Sequence, residues 1–140
     1  MTSMLAVQSA LQSHPGKPAH PSEMSRCIEA ALACASACEA CADACLSERQ
    51  IDNLLACIRI DLDCAAICTA TSSVVARSKA GASRQVLEGQ LAVCIAAARA
   101  CEDECRHHAG MHEHCRICAD ACDACAKACN DMLSALRQVV

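Results

Sequence analysis

The sequence contains no phenylalanine, tyrosine or tryptophan. Base stacking and most carbohydrate or cofactor pockets lean on aromatic faces, so those functions recede. It also lacks a basic excess. Twelve Lys and Arg stand against sixteen Asp and Glu, a net charge of −4 with neutral histidines, which is the wrong sign for a nucleic-acid binder. No stretch approaches ~20 uninterrupted apolar residues, so no membrane span is expected. The first residues carry no basic side chain before Lys17, no unbroken apolar core and no twin-arginine pair, unlike a signal peptide. The cytoplasm is therefore the expected location. Glycine and proline are scarce and sit mostly at joints. Pro15-Gly16, Pro18 and Pro21 mark an early linker, and Gly81 and Gly110 mark two later turns.

What the sequence has is cysteine, sixteen in 140 residues. Such density ordinarily signals a secreted disulfide scaffold. The intervening residues argue otherwise, being rich in the strong helix formers Ala, Leu, Glu, Arg and Gln. Four long helices are expected, at about 22–46, 48–79, 83–108 and 111–139. Ser22 is a candidate N-cap for the first, and Ser47 with Gln50 has capping-box spacing for the second. Gly110 stops the third. Short connections make neighbours antiparallel, so the expected fold is all-α, an up-down-up-down four-helix bundle over 22–140. Residues 1–21 form an arm and linker. Within them, 3–13 are compatible with a short extra helix carrying Met4, Val7 and Leu11 on one side.

The first helix holds Cys27, Cys34, Cys38, Cys41 and Cys45; the second holds Cys57, Cys64 and Cys68. Cys94, Cys101 and Cys105 fall in the third, and Cys115, Cys118, Cys122, Cys125 and Cys129 in the fourth. Every step is three, four or seven residues, that is, one or two helical turns. Each helix thus carries one cysteine stripe at the positions where a bundle ordinarily puts Leu and Ile. Four facing stripes make a sulfur-lined tube. Cysteines on successive turns of one helix do not meet disulfide geometry. A core of small hydrophobes alone would be thin and poorly filled, more so with Ala between the cysteines.

Soft thiolates select Cu(I), Zn(II) or iron–sulfur clusters. The helical spacing lacks the loop and proline of a cluster motif. Zinc prefers isolated tetrahedral sets of four, often on turns. Cu(I) accepts two or three sulfurs, and thiolates can bridge successive ions, which suits a continuous tube. If each ion displaces about one proton, the core stays near neutral at every stage of filling. Many Cu(I) ions per chain are therefore expected. A Zn(II)–thiolate protein and a thiol redox protein are the alternatives. The second would want one exposed, acidified C-x-x-C pair. No residue set suggests an enzyme.

The Cys-rich stripes, the C-x3-C pairs (Cys34/Cys38, Cys41/Cys45, Cys64/Cys68, Cys101/Cys105, Cys118/Cys122 and Cys125/Cys129) and the run MHEHCRICADACDACAKAC resemble the bacterial copper storage proteins over roughly residues 22–132. Without an export signal, the chain resembles their cytosolic branch. The resemblance implies Cu(I) chelation by C-x3-C pairs, assembly as a homotetramer, and a copper chaperone or cuproenzyme as exchange partner.

Cys45, Cys57, Cys105 and Cys115 should gather at one end with His107, His108, Met111, His112 and His114. Extrapolated stripes put His108 and Met111 on cysteine faces and His112 and His114 at the edges. His108, Met111 and His112 are the expected port for copper. Asp61 falls within the second stripe, where a carboxylate is costly unless it is paired or ligating, so it is a candidate ligand. Asn53 is a weaker one by the same spacing. At the far end Val75, Leu87, Leu91, Leu133 and Leu136 form an apolar plug, with Met24 and Met132 beside it as packing residues.

Overall fold

The computed structural model describes residues 3–78 and 83–138, with side chains from Leu5 onward. Among them are five α-helices and the 3-10 turn Ile51–Leu54, with no strand. α1 is Ser3–Gln12, α2 Pro21–Leu46, α3 Leu55–Ala76, α4 Arg84–His108 and α5 Glu113–Arg137. α2 to α5 form the four-helix bundle. Each packs against the next, and α5 returns to α2 to close the square. α1 lies along α2, with Leu11 buried and Val7 against the core. α3 ends at Ala76, short of the expected Lys79, and α5 ends at Arg137, short of the expected Val139. The turn at Gly81 and the side chain of Met4 lie outside the described residues.

Sulfur contacts fix the antiparallel register. Cys27 meets Cys129 and Cys34 meets Cys122 between α2 and α5, while Cys57 meets Cys105 and Cys68 meets Cys94 between α3 and α4. Partners rise along one helix as they fall along the other. Surface ion pairs repeat this register between α4 and α5. The Arg99 guanidinium lies 2.7 Å from Asp123, and Arg106 lies 2.9 Å from Asp120. Such exposed pairs contribute little stability each, roughly 0–1 kcal/mol. They also engage basic side chains that a nucleic-acid surface would need free.

Helix starts differ from the sequence expectation too. α2 starts at Pro21, with His20 at the cap position. Pro pre-sets the first helical turn and lacks an N–H that would be unpaired there. Ser22 is therefore inside the helix, and its Oγ accepts from Gln8 Nε2 of α1 at 3.4 Å. No capping box forms at Ser47 and Gln50. Ser47 instead ends α2: its N–H is bonded to Ala44 O, and its hydroxyl donates to Asp43 O at 3.3 Å. A turn and the 3-10 helix Ile51–Leu54 then precede α3. The last helix starts two residues late, at Glu113, with His112 as its N-cap. The start of α4 is capped by Ser83, whose Oγ accepts from Val86 N at 3.2 Å.

The core has two zones. At the end away from His112, Val75, Leu87, Leu91 and Leu133 are buried with Met24 and Met132, and Leu136 packs against them. Burying one such side chain contributes about 1.5–3 kcal/mol. Thr71 is also fully buried here, and is satisfied by donating to Ile67 O and accepting from Gln90 Nε2, each at 2.8 Å. The rest of the axis is cysteine. Buried Ala31, Ala35, Ala42, Ala65, Ala98, Ala119 and Ala126 let the helices approach around it.

Candidate metal centre

All sixteen cysteines are buried and none is in a disulfide. Their sulfurs form an unbroken column. Beginning above the plug, Cys27 and Cys129 stand 3.6 Å apart. Cys68 lies 3.8 Å from Cys125 and 3.9 Å from Cys94. At mid-height Cys34, Cys38, Cys64 and Cys122 form one group, whose nearest pair is Cys34–Cys122 at 3.6 Å. Cys38 also touches Cys101 and Cys118, each at 3.7 Å. Above them Cys57 meets Cys105 at 3.7 Å, and Cys41 meets Cys115 at 3.9 Å. Cys45 completes a set with Cys41, Cys115 and His114. Within single helices, Cys34 lies 3.9 Å from Cys38 and Cys64 lies 3.8 Å from Cys68.

These separations exceed the ~2.05 Å of an S–S bond, so the contacts are non-bonded. They match what bridging thiolates need. Several groups of four donor atoms lie within 4.8 Å of one another, and the groups share members. Cys38, for example, belongs both to the set with Cys34, Cys64 and Cys122 and to the set with Cys101, Cys118 and Cys122. A metal bound at one set thus shares sulfurs with the next.

Asp61 stands beside the sulfur column, in the α3 stripe between Cys57 and Cys64, and is fully buried. Its Oδ1 accepts from the thiols of Cys101 at 3.1 Å, Cys118 at 3.3 Å and Cys105 at 3.6 Å, and its Oδ2 from Cys57 at 3.8 Å. Burial, reinforced by the neighbouring Cys118 sulfur, pushes its carboxyl up to about 8. At neutral pH it is mostly the neutral acid, which is how a carboxyl tolerates this position. Burial also pushes the Cys115 thiol up to about 11, and raises Cys45 as well. Their neighbours act the other way on Cys57, where hydrogen bonds from Cys105 and Cys41 hold the thiol down. A metal ion displaces the proton of each thiol that binds it as thiolate.

The mouth is built from two connections. The turn after α2 brings Glu48; the start of α5 brings His112, its N-cap, and His114 in its first turn. Glu48 Oε2 lies 2.8 Å from His112 Nδ1 and 2.9 Å from His114 Nε2. The other ring nitrogen of His114, Nδ1, is 3.5 Å from the Cys41 sulfur and 3.6 Å from that of Cys115. The two imidazoles stack, with centroids 5.3 Å apart.

The structure redistributes the expected port residues. His114, expected only at a stripe edge, reaches the thiols. His108 Nε2 is 2.9 Å from Glu104 Oε2 on its own helix. Met111 lies in the turn before α5 and is 78% exposed, so it is not on a cysteine face. Helical extrapolation misplaced it because α5 begins only at Glu113. His107 is exposed. Asn53 is exposed in the 3-10 turn and donates to Gln50 Oε1 at 3.3 Å. Glu48 went unnoticed in the sequence, where nothing but its proximity to the end of the first stripe sets it apart.

Residues 20–134 match the family model of the copper storage proteins. The chain belongs to the copper storage protein family. Among solved structures of that family, Ccsp from Streptomyces lividans, loaded with ten copper equivalents, is 48% identical with a TM-score of 0.87. That match covers 91% of this chain and 98% of the other. A cytosolic copper storage protein from the same organism, holding five coppers, is 53% identical with a TM-score of 0.78, over 80% of this chain and 92% of its own. The uncharacterized cysteine-rich protein YhjQ of Bacillus subtilis is 37% identical over 106 residues, 76% of this chain and 92% of that protein. None of the described helices is long and apolar enough to cross a membrane.

Proposed function

We propose that this chain stores Cu(I) in the cytoplasm, binding many ions along the sulfur column of its bundle. One observation carries the reading: sixteen buried, unbonded thiols arranged in overlapping groups of four. Overlap favours Cu(I), which accepts two or three soft donors and bridging thiolates, over Zn(II), which wants separate tetrahedral sets. Membership of the copper storage family supports the same choice.

The proposed donors are Cys27, Cys34, Cys38, Cys41, Cys45, Cys57, Cys64, Cys68, Cys94, Cys101, Cys105, Cys115, Cys118, Cys122, Cys125 and Cys129, with Asp61 near the mouth. His114 and His112 line the proposed port; His108 and Met111 stand outside it as secondary contacts for arriving copper. Copper leaves to a chaperone or cuproenzyme acceptor. Copies of the bundle associate as a homotetramer, as the resemblance to the family implies.

Metal competition tests the reading. Reduced protein is loaded anaerobically with Cu(I), challenged with excess Zn(II), desalted and analysed for both metals. Retention of copper at several ions per chain, with little zinc, is expected. Replacement of copper by about four zinc ions would move the protein to the zinc class.

A further inference from the structure

Glu48 belongs to no helix and to no cysteine stripe. Yet a single carboxylate oxygen, Oε2, stands within hydrogen-bond reach of both His112 and His114. It is also the one contact described between the turn after α2 and the two imidazoles at the start of α5. An ionised carboxylate only accepts, so His114 Nε2, which is hydrogen-bonded to it, must carry the hydrogen. A neutral imidazole has one N–H and one lone pair. His114 Nε2 faces Glu48, which leaves His114 Nδ1 with its lone pair directed at the sulfurs of Cys41 and Cys115.

We propose that Glu48 is the positioning residue of the copper port: it holds His114 in the Nε2–H tautomer, so that Nδ1, Cys41 and Cys115 present a preset nitrogen-and-two-sulfur donor set to a soft monovalent cation. This rests on the copper-storage reading. Cu(I) arrives on a labile carrier and exchanges the carrier's donors for Nδ1 and the sulfurs. One thiol proton passes to water for each ion bound as thiolate. The metal remains Cu(I) throughout and no electron is transferred. The anionic carboxylate also balances the incoming charge near the rim. Carboxylate partners of metal-binding histidines typically change affinity or activity by about 10–100-fold when removed.

The test uses the full reduced chain and its E48A, E48Q, H114A and E48A/H114A variants. Each is mixed anaerobically in a stopped-flow instrument with the Cu(I) complex of a chromogenic chelator. Loss of Glu48 should slow the fastest uptake phase about tenfold or more and leave the end point unchanged. The double variant should be no slower than H114A, because Glu48 acts through His114. Nitrogen-15 NMR of the metal-free protein should show His114 as the Nε2–H tautomer in the parent and as a mixture in E48A. A tie that only braces the mouth would not move that tautomer. An E48A protein with parental uptake and tautomer would overturn the proposal, as would additive slowing in the double variant. Should the parent itself accept only one or two ions, the storage reading fails, while the tautomer comparison still decides the role of Glu48.

Discussion

Asp61 is the one acidic side chain buried in the core among the described residues. Among the described residues this carboxyl has no cationic partner, only S–H donors at 3.1–3.8 Å. Its folded value of about 8 lies above the ~3.9 of an unfolded chain. Between those values the folded protein holds the proton more tightly. The associated stability is therefore fully present below about pH 4 and is lost as pH rises through about 8. Urea unfolding of the metal-free, reduced protein across that range should show the midpoint falling with pH, and D61N should flatten the fall. An identical slope in D61N would contradict the assignment. The presence of Asp61 in the stripe was legible from its spacing between Cys57 and Cys64. Its four thiol partners were not, because they come from three helices whose register only the folded bundle sets.

Among the elements, helices were easier to read than their ends. Cysteine steps of three, four and seven fix both the helical period and the inward face, so α2 to α5 and their stripes follow from spacing. Ends depend on which polar group wins a local competition. Ser47 had capping-box spacing, yet its hydroxyl turns back to Asp43 O and closes α2. Met111 lay on a projected stripe, yet the chain between His108 and His112 is a turn that breaks the projection. The same break delivers His114 to Cys41 and Cys115. At the far end, α4 contributes Leu91 to the plug, with no exposed surface. L91A should destabilise the metal-free protein by about 2–5 kcal/mol, read as a lower denaturant midpoint. Once folded and loaded, its copper capacity should match that of the parent, because the plug holds no thiol. A loss of several ions would show that the plug seals the column against leakage and is not packing alone.

At the scale of the whole molecule, the bundle has exchanged part of an ordinary hydrophobic core for a metal reservoir. Cysteine and alanine bury less apolar surface than Leu and Ile, so the metal-free protein relies on its plug and helix contacts. Metal that binds the folded array more tightly than the unfolded chain stabilises it by mass action. Loading with Cu(I) should raise the thermal midpoint stepwise with copper content, and a strong Cu(I) chelator should reverse it. Proton release followed at neutral pH during loading should be about one per ion, as expected for neutral thiols becoming bridging thiolates. Unchanged stability on loading would place the copper outside the bundle. The central claim is that the sulfur column as a whole is the store. Its most direct test is anaerobic titration of fully reduced, metal-free protein with Cu(I) in the presence of a chromogenic Cu(I) chelator. An end point on the order of one Cu(I) per cysteine, reached before the chelator colours, is expected. Colour after only one or two ions would contradict it.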